Sequence, residues 1–229
     1  MTAEPSGRAL RLRVWLADVS MLRPTHLLLL SSVEKARQSA YKRAKDSARF
    51  TVAAALLRLA AATEIGATPT SILIDRACAC CGAPHGKPRI TGTDLHVSVS
   101  HSGRKVAVGL TRAAPIGIDV EAISHADLDE LRRFFLTADE PVNRLAEFYC
   151  YWCRKESVVK ATGDGLRVPL TEVLVSPAEE PARLVSYCGG PMAATMVDLP
   201  VGPCYAGAAT VLASGDTDLE MLDAWALLG

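Results

Sequence analysis

Residues 95–121 read LHVSVSHSGRKVAVGLTRAAPIGIDVE, and the alternation in this stretch decides the architecture. Leu95, Val97 and Val99 fall on one side of an extended chain and His96, Ser98 and Ser100 on the other, as in a strand with one apolar face. His101-Ser102-Gly103 turns the chain, and residues 105–110 return as the hairpin partner. Ala113-Ala114-Pro115 interrupts the pattern, and residues 116–121 open a new strand. The charge changes sign at this break. Residues 1–114 carry 17 Lys or Arg against 7 Asp or Glu, and residues 115–229 carry 8 against 18. We therefore expect an N-terminal lobe over 1–114 and a C-terminal lobe over 115–229, with a ligand site between them.

Each half repeats one order of elements: strand, helix, further strands. Residues 11–18 alternate as a half-buried strand, residues 33–45 form a basic helical stretch, and Asp46 caps a second helix to about residue 62. Residues 71–75 read as a short strand. Beyond the break, residues 127–136 are helical. Thr137 or Asp139 opens a long helix with Pro141 in its first turn, stopped by Gly163 and Gly165. Residues 172–175, 182–187, 193–198 and 204–212 read as strands. The expected fold class is α/β (α+β), as two lobes in one chain.

Composition narrows the function. Of 229 residues 49% are hydrophobic and 22% charged, enough to bury a core without disulfides. The most apolar stretch, residues 51–62, is twelve residues long and contains Arg58, too short to span a bilayer. No cationic stub with a long apolar run opens the chain, and seven cysteines read as reduced thiols, so the expected location is cytoplasmic. A net charge of zero argues against nucleic acid as partner. The charged halves either neutralise one another or assign a cationic wall to an anion.

Three motifs carry chemistry. In Gly117-Ile118-Asp119-Val120-Glu121 the two carboxylates share a strand face. Such a pair needs a divalent cation, an arginine partner or open solvent. In Trp152-Cys153-Arg154-Lys155-Glu156-Ser157-Val158-Val159-Lys160, helical spacing sets Trp152, Glu156 and Lys160 on one stripe, flanked by Lys155 and Val159; an exposed Glu–Lys pair would produce the same pattern. His101 ends the strand that carries Ser98 and Ser100, and no Gly-x-Ser-x-Gly turn exposes either serine as a nucleophile. Gly82 to Pro88 imitates a phosphate loop but has the wrong spacing, with proline where Ser or Thr should hold the metal. Cys78, Cys80, Cys81 and His85 could supply zinc ligands, although no second Cys pair follows at useful spacing.

Taken in order, Gly86-Lys87-Pro88, residues 97–103, residues 117–121, Phe134-Phe135 and residues 152–160, with the basic helix around residues 37–49, resemble the Sfp-type 4′-phosphopantetheinyl transferases. The resemblance spans most of residues 35–166 and implies two pseudo-symmetric α/β lobes with coenzyme A in the cleft. It implies transfer of the phosphopantetheine arm to a serine of an apo acyl or peptidyl carrier protein, with release of 3′,5′-ADP. By that likeness Asp119, Glu121 and Glu156 hold Mg²⁺, with Mn²⁺ an alternative. Glu156 is the candidate base, and Lys160 neutralises or protonates the leaving phosphate. The likeness also assigns Lys155 to the pyrophosphate, Arg49, His101 and Arg37 to the 3′-phosphate, Lys87 and Pro88 to the adenine, and Ser100 to a lesser contact beside His101. Cys153 and Arg154 are read as variable positions. A single chain that supplies both walls of its cleft is expected to be a monomer. Two rival readings are a non-catalytic coenzyme A or nucleotide-binding regulator and a zinc-bearing interaction module.

Overall fold

The computed structural model describes residues 9–124 and 128–229. Its first half runs β1 (Leu10–Asp18), α1 (His26–Leu29), α2 (Ser32–Ser39), α3 (Ala44–Ile65), β2 (Ile74–Asp75), β3 (Arg89–Ile90), β4 (His96–Ser102) and β5 (Lys105–Thr111). The second half runs β6 (Ile116–Ala122), α4 (Leu128–Phe135), α5 (Leu145–Thr162), β7 (Val173–Val175), β8 (Leu184–Tyr187), β9 (Thr195–Asp198), β10 (Tyr205–Val211), β11 (Thr217–Asp223) and α6 (Trp225–Leu228).

Local chemistry explains where the helices start and stop. The expected basic helix over 33–45 is shorter: α2 opens on a capping box, Ser31 with Glu34, and ends at Ser39, so residues 40–43 link it to α3. Asp46 lies inside the first turn of α3 instead of capping it, and Gly66 closes that helix at φ +68°. Helix α5 starts at Leu145, later than Thr137 or Asp139, because Glu147 accepts the backbone N–H of Asn143 at 2.7 Å and of Arg144 at 3.2 Å. The helix expected over 127–136 is found as α4, and its expected first residue, Asp127, lies outside the described residues.

Six strands form one sheet in the order β11-β1-β5-β4-β3-β2, three form a second in the order β6-β10-β9, and β7 pairs with β8. The halves share a topology. β1, α3, β4 and β5 in the first match β6, α5, β9 and β10 in the second, with the last strand of each set central between the other two. This is the two-lobed α/β architecture expected from the sequence.

Packing is layered. Trp15, Val106 and Val108 pack under α3 with Val52, Leu56 and Leu57, while the opposite face of β1, through Leu12 and Val14, meets Ile118 and Val120 of β6. β1 is thus buried on both faces rather than half-buried, since α3 covers one face and β6 the other, while β5 and β11 pair with its edges. A third cluster surrounds α5 through Phe148, Tyr151, Val158 and Val159.

The division at residue 114 needs one correction. β11 runs parallel to β1, Leu10 opposite Thr217 and Leu16 opposite Asp223, and Leu228 is buried against the α3 cluster. Residues 217–229 therefore pack with the first lobe. Glu220 binds Arg13 at 2.9 Å and Arg11 at 3.2 Å, so part of the charge asymmetry is neutralised where the chain's end meets its beginning.

Candidate active site

Serines join the two sheets. Ser98, Ser100 and Ser102 of β4 accept the backbone N–H groups of Ile118, Val120 and Ala122 at 3.0, 3.2 and 3.1 Å. Side-chain hydroxyls thus complete a row of backbone donors that no paired strand satisfies on that side of β6, which explains the polar face of the alternation. Two of these serines also donate to carboxylates: Ser100 to Asp119 Oδ1 at 2.8 Å and Ser102 to Glu121 Oε2 at 2.5 Å.

Gly117 brings β6 against α5. A Cβ there would stand 2.0 Å from the Ser157 carbonyl oxygen and 2.4 Å from the Ala161 nitrogen, so only glycine permits this approach. Two residues on, Lys160 Nζ reaches Asp119 Oδ1 at 2.5 Å and Ser100 Oγ at 3.1 Å.

A cavity of about 380 Å³ lies at this junction. One wall carries Ser100, His101, Asp119, Glu121, Trp152, Glu156 and Lys160, and the other carries Arg37, Tyr41, Phe50 and Arg76. The expected acidic trio and Lys160 therefore face one space. Burial, reinforced by the neighbouring carboxylates, raises the pKa of Glu121 and of Glu156. Burial opposes the charged form of Lys160, but the Asp119 carboxylate outweighs it and raises that pKa. Loss of surrounding water, then the charges of Arg49, Lys160 and Arg37, lower the pKa of His101.

These residues fit a hard divalent cation by the chemistry of their donors. Asp119 is only 2% exposed, and its Oδ2 is buried with no hydrogen-bond partner. An orphaned carboxylate oxygen beside a cavity lined by two further carboxylates offers the oxygen donors such an ion takes. The three carboxylates share the cavity without closing on a point. Among the described residues, the group that brings three metal-ligating atoms within 4.8 Å of one another is Cys78, Cys81 and His85.

The opposite wall suits an anion. Arg37 donates to the Pro84 carbonyl oxygen at 3.3 Å and lies 5.4 Å from the Phe50 ring centroid. Arg49 does not line this cavity; it pairs with Asp46 while its Nε is buried without a partner, and its charge reaches His101. Arg76, which the sequence reading passes over, makes no ion pair among the described residues, and burial followed by the charge of Arg37 lowers its pKa. The signal was an arginine next to a turn, too common to single out.

Two assignments change. Lys155 does not face this cavity. Its ammonium is fully buried on another side of α5, donating to Glu140 Oε2 at 2.5 Å and to the Leu170 and Phe135 carbonyl oxygens at 3.0 and 3.1 Å. At 100° per residue, the position next to Glu156 turns inward, and Lys155 anchors the 135–140 segment instead of a pyrophosphate. Arg154 is likewise no freely variable position. It is 0% exposed and binds Asp198 at 2.6 and 2.9 Å and the carbonyl oxygens of Ser176, Pro177 and Glu180. Cys153 beside it is buried as well.

Lys87 and Pro88 border a neighbouring cavity of about 480 Å³ rather than the carboxylate one. Lys87 Nζ donates to the Ala161 carbonyl oxygen at 2.5 Å at the C-terminal end of α5, and burial with the nearby Arg89 lowers its pKa to about 8.

Known proteins are similar to this chain in sequence. Residues 115–196 match the family model described as the 4′-phosphopantetheinyl transferase superfamily. A 4′-phosphopantetheinyl transferase of Bacillus subtilis is 34% identical over 145 residues, which is 60% of this chain and 61% of that protein. The putative 4′-phosphopantetheinyl transferase slr0495 of Synechocystis is 30% identical over 175 residues, covering 71% of this chain and 69% of that protein. The 4′-phosphopantetheinyl transferase HetI of Nostoc is 31% identical over 169 residues, covering 68% of each. The match to the Bacillus protein thus spans about three-fifths of its length.

Proposed function

This chain belongs to the 4′-phosphopantetheinyl transferase superfamily, and from that premise we propose that it transfers the phosphopantetheine arm of coenzyme A to a serine of an apo carrier protein. The single observation that carries the reading is the cavity in which Asp119, Glu121, Glu156 and Lys160 face an arginine-bearing wall. A non-catalytic nucleotide binder would need the cationic wall and have no use for three carboxylates gathered opposite it.

In the proposed step the carrier serine Oγ attacks the β-phosphorus of the pyrophosphate. The bond from that phosphorus to the bridging oxygen breaks, and 3′,5′-ADP leaves. Glu156 takes the serine proton, directly or through a water, and its raised pKa suits a group that must hold a proton. Lys160 stays charged beside Asp119 and neutralises the leaving phosphate. Asp119, Glu121 and Glu156 would hold Mg²⁺, or Mn²⁺, which when bound supplies charge neutralisation at the pyrophosphate oxygens. Arg49, with its unpartnered Nε, and His101 and Arg37 are assigned to the 3′-phosphate, with Ser100 beside them. Arg76 is added to that wall. Lys87 and Pro88 are assigned to the adenine on the resemblance alone. The carriers served are those of fatty-acid, polyketide or nonribosomal-peptide synthesis, and the enzyme acts as a cytoplasmic monomer. No helix among the described residues is long and apolar enough to cross a membrane.

The test is incubation of an apo carrier protein with coenzyme A, Mg²⁺ and this protein, followed by mass spectrometry. A phosphopantetheine adduct on the carrier serine is the expected result. An unmodified carrier in the presence of bound coenzyme A would favour the regulator.

A further inference from the structure

The loop between β2 and β3 is organised by its backbone before any side chain is considered. Gly82 N–H donates to the Cys78 carbonyl oxygen at 2.8 Å, Cys78 N–H to Ala83 at 2.9 Å, and Gly86 N–H to Arg76 at 2.7 Å. Gly82 takes φ +71°, and a Cβ on Gly86 would meet the Ala77 carbonyl oxygen at 2.7 Å, so both glycines are required by the tight double turn. This folding brings the Cys78, Cys81 and His85 ligand atoms within 4.8 Å of one another, with Cys81 Sγ 3.1 Å from His85 Nε2. None of the four buried hydrophobic clusters includes a residue of 76–89. The loop holds two thiols and an imidazole together without a core of its own.

We propose that Cys78, Cys81 and His85 bind one zinc ion, which fastens this loop and completes its fourth coordination position with water. Thiolate and imidazole donors select zinc over the hard cations suited to the carboxylate cavity. Zn–S and Zn–N bonds of about 2.3 and 2.0 Å place ligand atoms about 3.5–4 Å apart in a tetrahedron, within reach of the observed cluster by small side-chain rotations. Two thiolates and a neutral imidazole cancel the ion's charge, so the site adds none to the arginine-rich surroundings. The metal's role is positional. The loop carries Arg76 at one end and Lys87 just past the other, and its Pro84 carbonyl oxygen accepts Arg37 at 3.3 Å. Fastening it steadies two arginines of the anion wall. The site is independent of the transfer reaction and stands or falls without it.

Elemental analysis of the full chain, purified under reducing conditions without chelator, should find one zinc per chain, retained after exhaustive dialysis. Cys78→Ser/Cys81→Ser should lower that content at least about tenfold, since removing two of three protein ligands abolishes a structural site. Cys188→Ser, away from the loop, should leave it unchanged. Cobalt substituted into the wild-type chain should show a thiolate-to-metal charge-transfer band and intense tetrahedral ligand-field bands, both absent from the double variant. Circular dichroism confirms that each variant is folded. Zinc well below stoichiometry together with no cobalt thiolate band, or full zinc retention in the double variant, overturns the proposal. So does a Cys78–Cys81 disulfide found by mass spectrometry in chain freshly purified from the cytoplasm.

Discussion

Asp119 and Glu156 are the side chains on which the proposed chemistry turns. Asp119→Ala and Glu156→Ala should each lower kcat/KM for carrier modification at least about 100-fold; Glu156→Ala relieves repulsion among the three carboxylates and should leave the melting temperature little changed, whereas Asp119→Ala also strips Lys160 and Ser100 of their partner and should lower it. Lys160→Ala should reduce kcat more than it weakens coenzyme A binding, measured by calorimetry on the same preparation. An equal loss in both would make Lys160 a binding group only. A second residue-scale consequence concerns His26, whose Nδ1 accepts the Arg23 N–H at 3.1 Å and whose Nε2 lies 3.3 Å from the Leu228 carbonyl oxygen. Burial first, and then the Arg23 charge, lowers its pKa. The unfolded chain therefore takes up a proton there before the folded one does. Stability should fall as pH drops below about 6.5, and His26→Gln should flatten part of that slope in urea titrations. Sequence spacing identified Asp119, Glu121, Glu156 and Lys160 because period two and period four each mark a face. It misread Lys155 because adjacency in sequence says nothing about which way a helical neighbour turns. Arg76 and His26 were invisible for another reason: their importance comes from contacts with residues far along the chain.

Among the elements, α5 does the most to assemble the site, and it is held from behind. Arg154 and Lys155 are buried cations, each satisfied by a carboxylate and carbonyl oxygens. Lys155→Ala should cost about 3–5 kcal/mol in chemical denaturation, since it leaves Glu140 buried without its partner, and Arg154→Ala should cost less through its ion pair because Asp198 is exposed. Lys155→Met with Glu140→Gln should recover much of that loss, and coenzyme A affinity of the folded double variant should match the wild type. If affinity instead fell with intact stability, Lys155 would belong to the ligand site after all. The strands of the 95–122 region were legible because the alternation and the punctuation by Gly103 and Pro115 agree there. The start of α5 was not, since the pull of Glu140 on the Thr137 N–H at 2.9 Å makes a local turn that imitates a helix opening eight residues early.

For the molecule as a whole, the first lobe depends on the chain's last thirteen residues, 217–229. β11 covers the edge of β1 along seven residue pairs, and Ala224 and Leu228 enter the core beneath α3. A chain ending at Asp216 should melt at least about 10 °C lower, taking roughly 3 °C per kcal/mol at this size, and should aggregate through the uncovered strand. A loss of only a degree or two would show that the terminal strand is ornamental. The charge reversal at residue 114 pointed to two lobes. It did not reveal the return of residues 217–223, whose alternation of Leu219 and Met221 with Asp218 and Glu220 is a strand signal obscured by its acidity.

The parallel pairing of β1 with β11 also sets a timetable. During translation the first strand leaves the ribosome some two hundred residues before the partner that shields it, so the N-terminal sheet must wait, half-built, until β11 emerges. At elongation speeds of about 5–20 residues per second that interval is on the order of ten to forty seconds. The nascent chain spends it with an unshielded edge, a window in which holdase chaperones and proteases compete with the arrival of β11.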